Sequence, residues 1–174
     1  MKRHIIKNIK SYNQQSRSEY KEKMAGLLAH EKLKQLDTYK QHYKCTRLKH
    51  SVSVSYYSFY IAKLLKLDYI SAAKAGLLHD LCFNEKAGFK ENMKMLRQHP
   101  KDALNNAREI CDLNDKERDI IKRHMWLITL KPPKYKEGYI VTFVDKYCAA
   151  REFFSSVFFK NFSGKSNKRM NRFY

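Results

Sequence analysis

Apolar positions recur at three- and four-residue intervals along most of this chain, the spacing of an amphipathic helix. Met24, Leu27, Leu28, Leu33 and Leu36 follow it and predict a helix over about 16–36, with residues 1–14 as a loosely docked arm. Asp37 and Thr38 suit the end of that helix, and Thr46 suits the start of the next after a polar, tyrosine-containing connection. The segment HSVSVSYYSFYIAKLLKL, from His50, begins with strand-like alternation of Val52 and Val54 between serines. It continues at helical spacing with no turn signal between the halves, so the whole predicts helix. Residues 69–81 predict a strong helix in which Ala72, Ala73, Ala75 and Gly76 permit close packing.

Asn84 and Gly88 mark a loop, followed by a short helix over about 91–97. Pro100 fits the first turn of a separate helix running to about Leu113, because its missing N–H has no partner to lose there. Asn114 or Asp115 caps the next helix, with Ile120, Ile121 and His124 on one side. Lys131-Pro132-Pro133-Lys134 breaks the chain before a last helix over about 137–159, whose core positions are Ile140, Val141, Val144, Cys148 and Ala149. The pattern predicts an all-α bundle in three parts: a helical arm over 1–44, a helical domain over 45–159 and a flexible basic tail over 160–174. There is no internal repeat and no glycine-rich phosphate loop.

At 174 residues and 43% hydrophobic content, with five glycines and three prolines, the chain suits one folded helical domain. Cys45, Cys82, Cys111 and Cys148 form no CxxC pair and read as reduced, mostly buried thiols of a cytoplasmic protein. No stretch is long and apolar enough to span a bilayer, and the basic N-terminus is not followed by a signal-type core. The formal net charge of +19 attracts polyanions: nucleic acid, nucleotides or anionic membrane surfaces. It describes a field and no chemistry, and a plainly soluble basic surface accounts for it equally well.

The chemistry-bearing positions are His50, the adjacent His79-Asp80, His99, His124 and Asp145. Each falls on or beside a predicted helix, so a bundle is needed to bring them together. Imidazole plus carboxylate without thiolate suits a catalytic divalent ion rather than a structural zinc. Each residue also has an ordinary reading. Asp145 borders an apolar face, and on spacing alone a surface aspartate paired with Lys146 or Arg151 is the commoner case. His124, beside Met125-Trp126, suits the aromatic end of a helix, and His99 a cap region. His4, His30 and His42 are read as structural.

The order of the six residues resembles the HD-domain metal-dependent phosphohydrolase superfamily, and small bacterial HD proteins in particular. Its pattern is a first His (His50), an adjacent His-Asp pair (His79-Asp80) and a distant Asp (Asp145) on a helical bundle. Branches with two metals add two histidines, where His99 and His124 stand. The surroundings HSVSVS, AGLLHDL, HPKDAL, IIKRHMW and VDKYCAA fit over roughly 45–152. The resemblance implies that His50, His79, Asp80 and Asp145 hold a first ion and that Asp80 bridges to a second held by His99 and His124. A water between them would lose a proton and attack phosphorus, with His79 and Asp80 central to catalysis. It implies one or two divalent ions from the set Mn, Fe, Co, Ni and Zn. The lysine that many relatives carry soon after the pair is absent or replaced by Lys86, and the GYP signature of cyclic-dinucleotide phosphodiesterases is missing.

Lys146, Arg151 and Arg123 are candidates to hold the rest of a phosphorylated substrate, although each taken singly suits a solvated face. Trp126 and Tyr147 could stack on a base, but aromatic residues in such helices more commonly pack the core. Phe153, Phe154, Phe158, Phe159 and Phe162 most simply pack the last helix, with a homodimer contact or a membrane-surface anchor as alternatives. Two functions follow: a hydrolase of a nucleotide or similar small phosphate, or an HD-fold binder of nucleic acid or nucleotides with weak or no catalysis.

Overall fold

The structure is a computed structural model. It describes the backbone of residues 2–42, 45–83 and 89–170, and the side chains of residues 12–39, 45–83, 97–155 and 157. In chain order the elements are α1 (Lys2–Ala29), α2 (Glu31–Lys34), a 3-10 turn (Gln35–Thr38), β1 (Lys40–His42), β2 (Cys45–Thr46), α3 (Arg47–Leu64), α4 (Tyr69–Leu78), α5 (Phe89–Arg108), α6 (Asp115–Arg123), α7 (Trp126–Thr129) and α8 (Lys136–Met170). The fold is all-α apart from the antiparallel ladder of β1 on β2 inside the expected connection.

α4 is the central helix. Ser71, Ala72, Ala73, Ala75, Gly76, Leu77 and Leu78 are buried around nearly its whole circumference, as expected of a helix packed on several sides. It packs most extensively on α3, then on α6 and α8. α3 itself buries Ser51, Val54, Ser55, Ser58, Phe59 and Ala62. That recurrence of three and four residues explains why the serine–valine alternation does not make a strand. Small side chains let the two helices approach: Ser55 Oγ donates to Ala73 O at 2.7 Å. A methyl group on Gly76 would stand 3.2 Å from Ser55 Cα.

The helix ends follow local chemistry. Thr46 caps α3 by accepting from Lys49 N–H and donating its hydroxyl to Asp37 at 2.7 Å. Asp68 caps α4 by accepting from Ser71 N–H at 3.0 Å. Asn114 and Glu117 form a reciprocal capping box at the start of α6, at 2.8 and 3.0 Å. At the end of α3, Lys66 takes a left-handed φ of 55°. Leu67 N–H then reaches Ala62 O and Lys66 N–H reaches Lys63 O, a Schellman closure usually built on glycine.

Several boundaries differ from expectation. α1 begins at Lys2 rather than near Ser16, and it stops at Ala29 because His30 turns extended and caps α2, its Nδ1 accepting from Lys32 N–H at 3.2 Å. One helix, α5, replaces the expected pair, and Pro100 lies inside it. α8 continues past Phe159 to Met170. The expected loop at Asn84 and Gly88 and the side chains of His4, His42 and Lys86 lie outside the described residues. Cys82 and Cys148 are buried, but Cys45 and Cys111 are half-exposed, and all four are free thiols. Phe153 and Phe154 do not pack inward. They are 52% and 70% exposed, on the outward side of α8, while Phe158, Phe159 and Phe162 lie outside the described side chains.

Candidate metal centre

The six residues singled out in the sequence converge. His50 stands in the first turn of α3, His79 caps the end of α4 with Asp80 next to it, His99 lies on α5, His124 caps the end of α6 and Asp145 lies on α8. His50, His79, His124, Asp80 and Asp145 are buried, and His99 is half-buried. They form two groups, each with its ligand atoms within 4.8 Å of one another: His50, His79 and Asp145, and Asp80, His99 and His124. The groups adjoin. His79 Nε2 is 3.6 Å from Asp145 Oδ1 and 3.7 Å from Asp80 Oδ1. Asp80 Oδ1 is also 2.6 Å from His99 Nε2 and 4.0 Å from His124 Nε2, so this oxygen stands between both groups. The rings of His79 and His124 meet edge to face at 5.0 Å.

His79 and His124 are held in the same way. Each ends its helix and donates Nδ1–H to the carbonyl three residues back, Gly76 O and Ile121 O, both at 2.8 Å. A carbonyl only accepts, so Nδ1 carries the proton and, in the neutral ring, the Nε2 lone pair points into the centre. Both Nε2 atoms are buried without a hydrogen-bond partner among the described residues. An orphaned buried nitrogen is costly, and two of them beside two carboxylates form the donor set a divalent transition ion would complete. The residues fit such an ion.

The charges are balanced internally. Burial works against the charged form of His50, but its bonds to Asp145 and Glu152 raise its pKa to about 10. For His99 burial is likewise overcome, chiefly by Asp80, and the pKa again rises to about 10. Asp80 and Asp145 resist burial, and neighbouring imidazoles hold both well below the ordinary carboxylate range. His124 moves the other way. Burial first, then the charge of His79 and His99, press it down to about 3, so it stays a neutral ligand.

Glu152 was not anticipated. Its two carboxylate oxygens each lie 3.1 Å from His50 Nδ1 while His50 Nε2 meets Asp145 at 3.0 Å. A carboxylate behind an imidazole orients the ring and raises its basicity. The signal was present: Glu152 follows Asp145 by seven residues, two turns along the same helix face. Of the basic candidates, Lys146 touches the centre through Asp145 Oδ2 at 2.7 Å. This is the surface pairing weighed for Asp145, here made by a buried carboxylate. Arg151 donates to Tyr57 Oη at 3.0 Å. Arg123 pairs with Asp119 at 2.7 Å and also donates to Pro132 O. Tyr147 is 60% exposed, and Trp126 meets Tyr139 edge to face at 5.9 Å.

The HD domain family matches residues 47–150, the span from the start of α3 through Asp145. The chain belongs to the HD domain family, whose members are mostly metal-dependent hydrolases acting on small phosphate substrates. No curated protein and no solved structure matches it. Among the described residues, no helix is long and apolar enough to cross a membrane.

Proposed function

We propose that this protein is a metal-dependent phosphohydrolase, a phosphomonoesterase or phosphodiesterase acting on a nucleotide or related small phosphate. The observation that carries the reading is the pair of buried, unpartnered Nε2 atoms of His79 and His124 on either side of Asp80. His50, His79 and Asp145 would hold one divalent ion, His99 and His124 a second, with Asp80 shared between them. Such ions, when bound, neutralise phosphate oxygens and acidify the attacking water. The chain's own residues set the geometry. Gly76 O and Ile121 O fix two imidazoles in one tautomer, Glu152 holds His50 in place, and burial keeps bulk water from the ligand atoms. Lys146 adds positive charge beside Asp145.

Purified protein should carry or take up a transition ion from the Mn, Fe, Co, Ni and Zn series and hydrolyse members of a nucleotide and phosphodiester panel. His79→Ala with Asp80→Ala should abolish both metal content and turnover while leaving the helical circular dichroism intact. The net charge of +19 supports a second reading, a nucleic-acid binder. In that case the double substitution leaves nucleic-acid affinity unchanged and the wild type shows no turnover on any member of the panel.

A further inference from the structure

A groove of about 450 Å³ opens between α5, α6 and the segment from α7 to Lys131. Among the described residues five cationic side chains line it, Arg97, Lys101, Lys122, Arg123 and Lys131, and no acidic one does. Arg123 is compensated by Asp119. Arg97, Lys101, Lys122 and Lys131 are exposed, and among the described residues they make no ion pair. The groove is registered to the candidate centre through the chain itself. Pro100 and Arg123, both in its wall, are the immediate neighbours of His99 and His124.

The remaining wall is Pro100, Ile128, Thr129 and Leu130, and Leu130 takes a left-handed φ of 57° with 84% of its surface exposed. A non-glycine residue in that region carries a conformational cost. Like charges brought together at one concavity repel one another, and a multivalent anion relieves that repulsion. The volume is that of a single small-molecule site, too small for a track along a nucleic-acid strand.

We propose that this groove binds the trailing phosphates of a linear oligophosphate, placing one terminal or internal phosphate at the candidate metal centre. The substrate class is then a compound carrying several phosphates in a chain, free or nucleotide-borne, which extends the reading from phosphate esters to phosphoanhydrides. The substrate assignment rests on the hydrolase reading; the binding of phosphate chains does not.

The test is titration calorimetry of the full-length protein as purified, with inorganic tripolyphosphate, a nucleoside triphosphate, orthophosphate and a single-stranded oligonucleotide as probes. The triple substitution Lys101→Ala, Lys122→Ala, Lys131→Ala is compared with Lys21→Ala, Lys23→Ala, Lys34→Ala, which removes the same charge from exposed positions elsewhere. Metal content is measured for both after titration, so that chelation by the probe is seen. The groove triple should weaken tripolyphosphate and nucleoside triphosphate by about tenfold or more relative to the control triple and flatten their salt dependence. Orthophosphate should change little. A tripolyphosphate loss without a triphosphate loss would place free chains in the groove, and equal losses would place nucleotide-borne chains there too; both support the assignment. Equal weakening by the two triples, or weakening of the oligonucleotide alone, overturns it. Absence of metal and turnover would sink the hydrolase reading and leave this titration standing.

Discussion

His79 and His124 reach the same orientation by the same short route: a histidine capping the C-terminal end of its helix, its Nδ1–H returned to the carbonyl three residues earlier. The rotamer and tautomer of both are therefore set by their own helices, and only the approach of those helices decides what the Nε2 atoms meet. His50 is oriented differently, by Glu152 from α8. Replacing Glu152 with Gln keeps the size and removes the charge behind His50. Metal affinity should fall by about 10- to 100-fold, the usual cost of losing such an outer carboxylate, with melting temperature of the metal-free protein changing far less than for Asp145→Asn. A metal affinity equal to wild type in competitive chelator titrations would remove Glu152 from the centre.

α3 and α4 place His50 beside His79, and they do so through small residues. Gly76 faces the backbone of Ser55, where an added methyl meets Cα at 3.2 Å and N at 3.4 Å. Backbone cannot turn aside as a side chain can, so Gly76→Ala should push the helices apart. The expected loss is about 1–3 kcal/mol of stability from overpacking, read by denaturant unfolding, together with weaker metal binding because His79 lies one turn further on. Gly26, with open space around it, is the matched control. Lys66 offers the opposite sign. It closes α3 in the left-handed region at φ 55°, so Lys66→Gly should gain about 1 kcal/mol by relieving the Cβ clash. A loss of stability there would show that the Lys66 side chain makes a contribution of its own.

Across the molecule, the centre couples folding, protons and metal. In the metal-free protein His50 and His99 have pKa values raised to about 10, above the roughly 6.5 of an unfolded histidine. Their stabilisation is complete below about pH 6.5 and disappears as pH rises through about 10. Asp80 and Asp145 are depressed, so theirs is present above about pH 4 and is lost as pH falls further. Chelated protein should therefore melt at progressively lower temperature from about pH 7 to pH 10. Metal-loaded protein should hold its melting temperature over that range, because the ion takes the place of the two protons, and loading should release protons. A chelated protein whose melting temperature stays flat from pH 6 to 10 contradicts the charge balance described for the centre.

Local chemistry made much of this legible beforehand. Thr46 and Asn114 announce helix starts because their side chains bond to groups only a few residues away. The six ligand candidates stood out by their order along the chain, which resembles the HD-domain pattern, since each taken singly had an ordinary structural reading. Asp145 on spacing alone favoured the surface, and its Lys146 partner is present, yet the residue is buried against two histidines. Pro100 suggested a helix start but sits within α5, since helix packing around it outweighs the one lost backbone bond. Glu152 shares a helix face with Asp145, but nothing local says that His50, a hundred residues away, stands opposite. Periodicity and capping are properties of neighbours along the chain. Which lone pairs face one another, and which lysines gather around one groove, are set by the close approach of α3 to α4 and of α5 to α6, which depends on contacts between residues far apart in sequence.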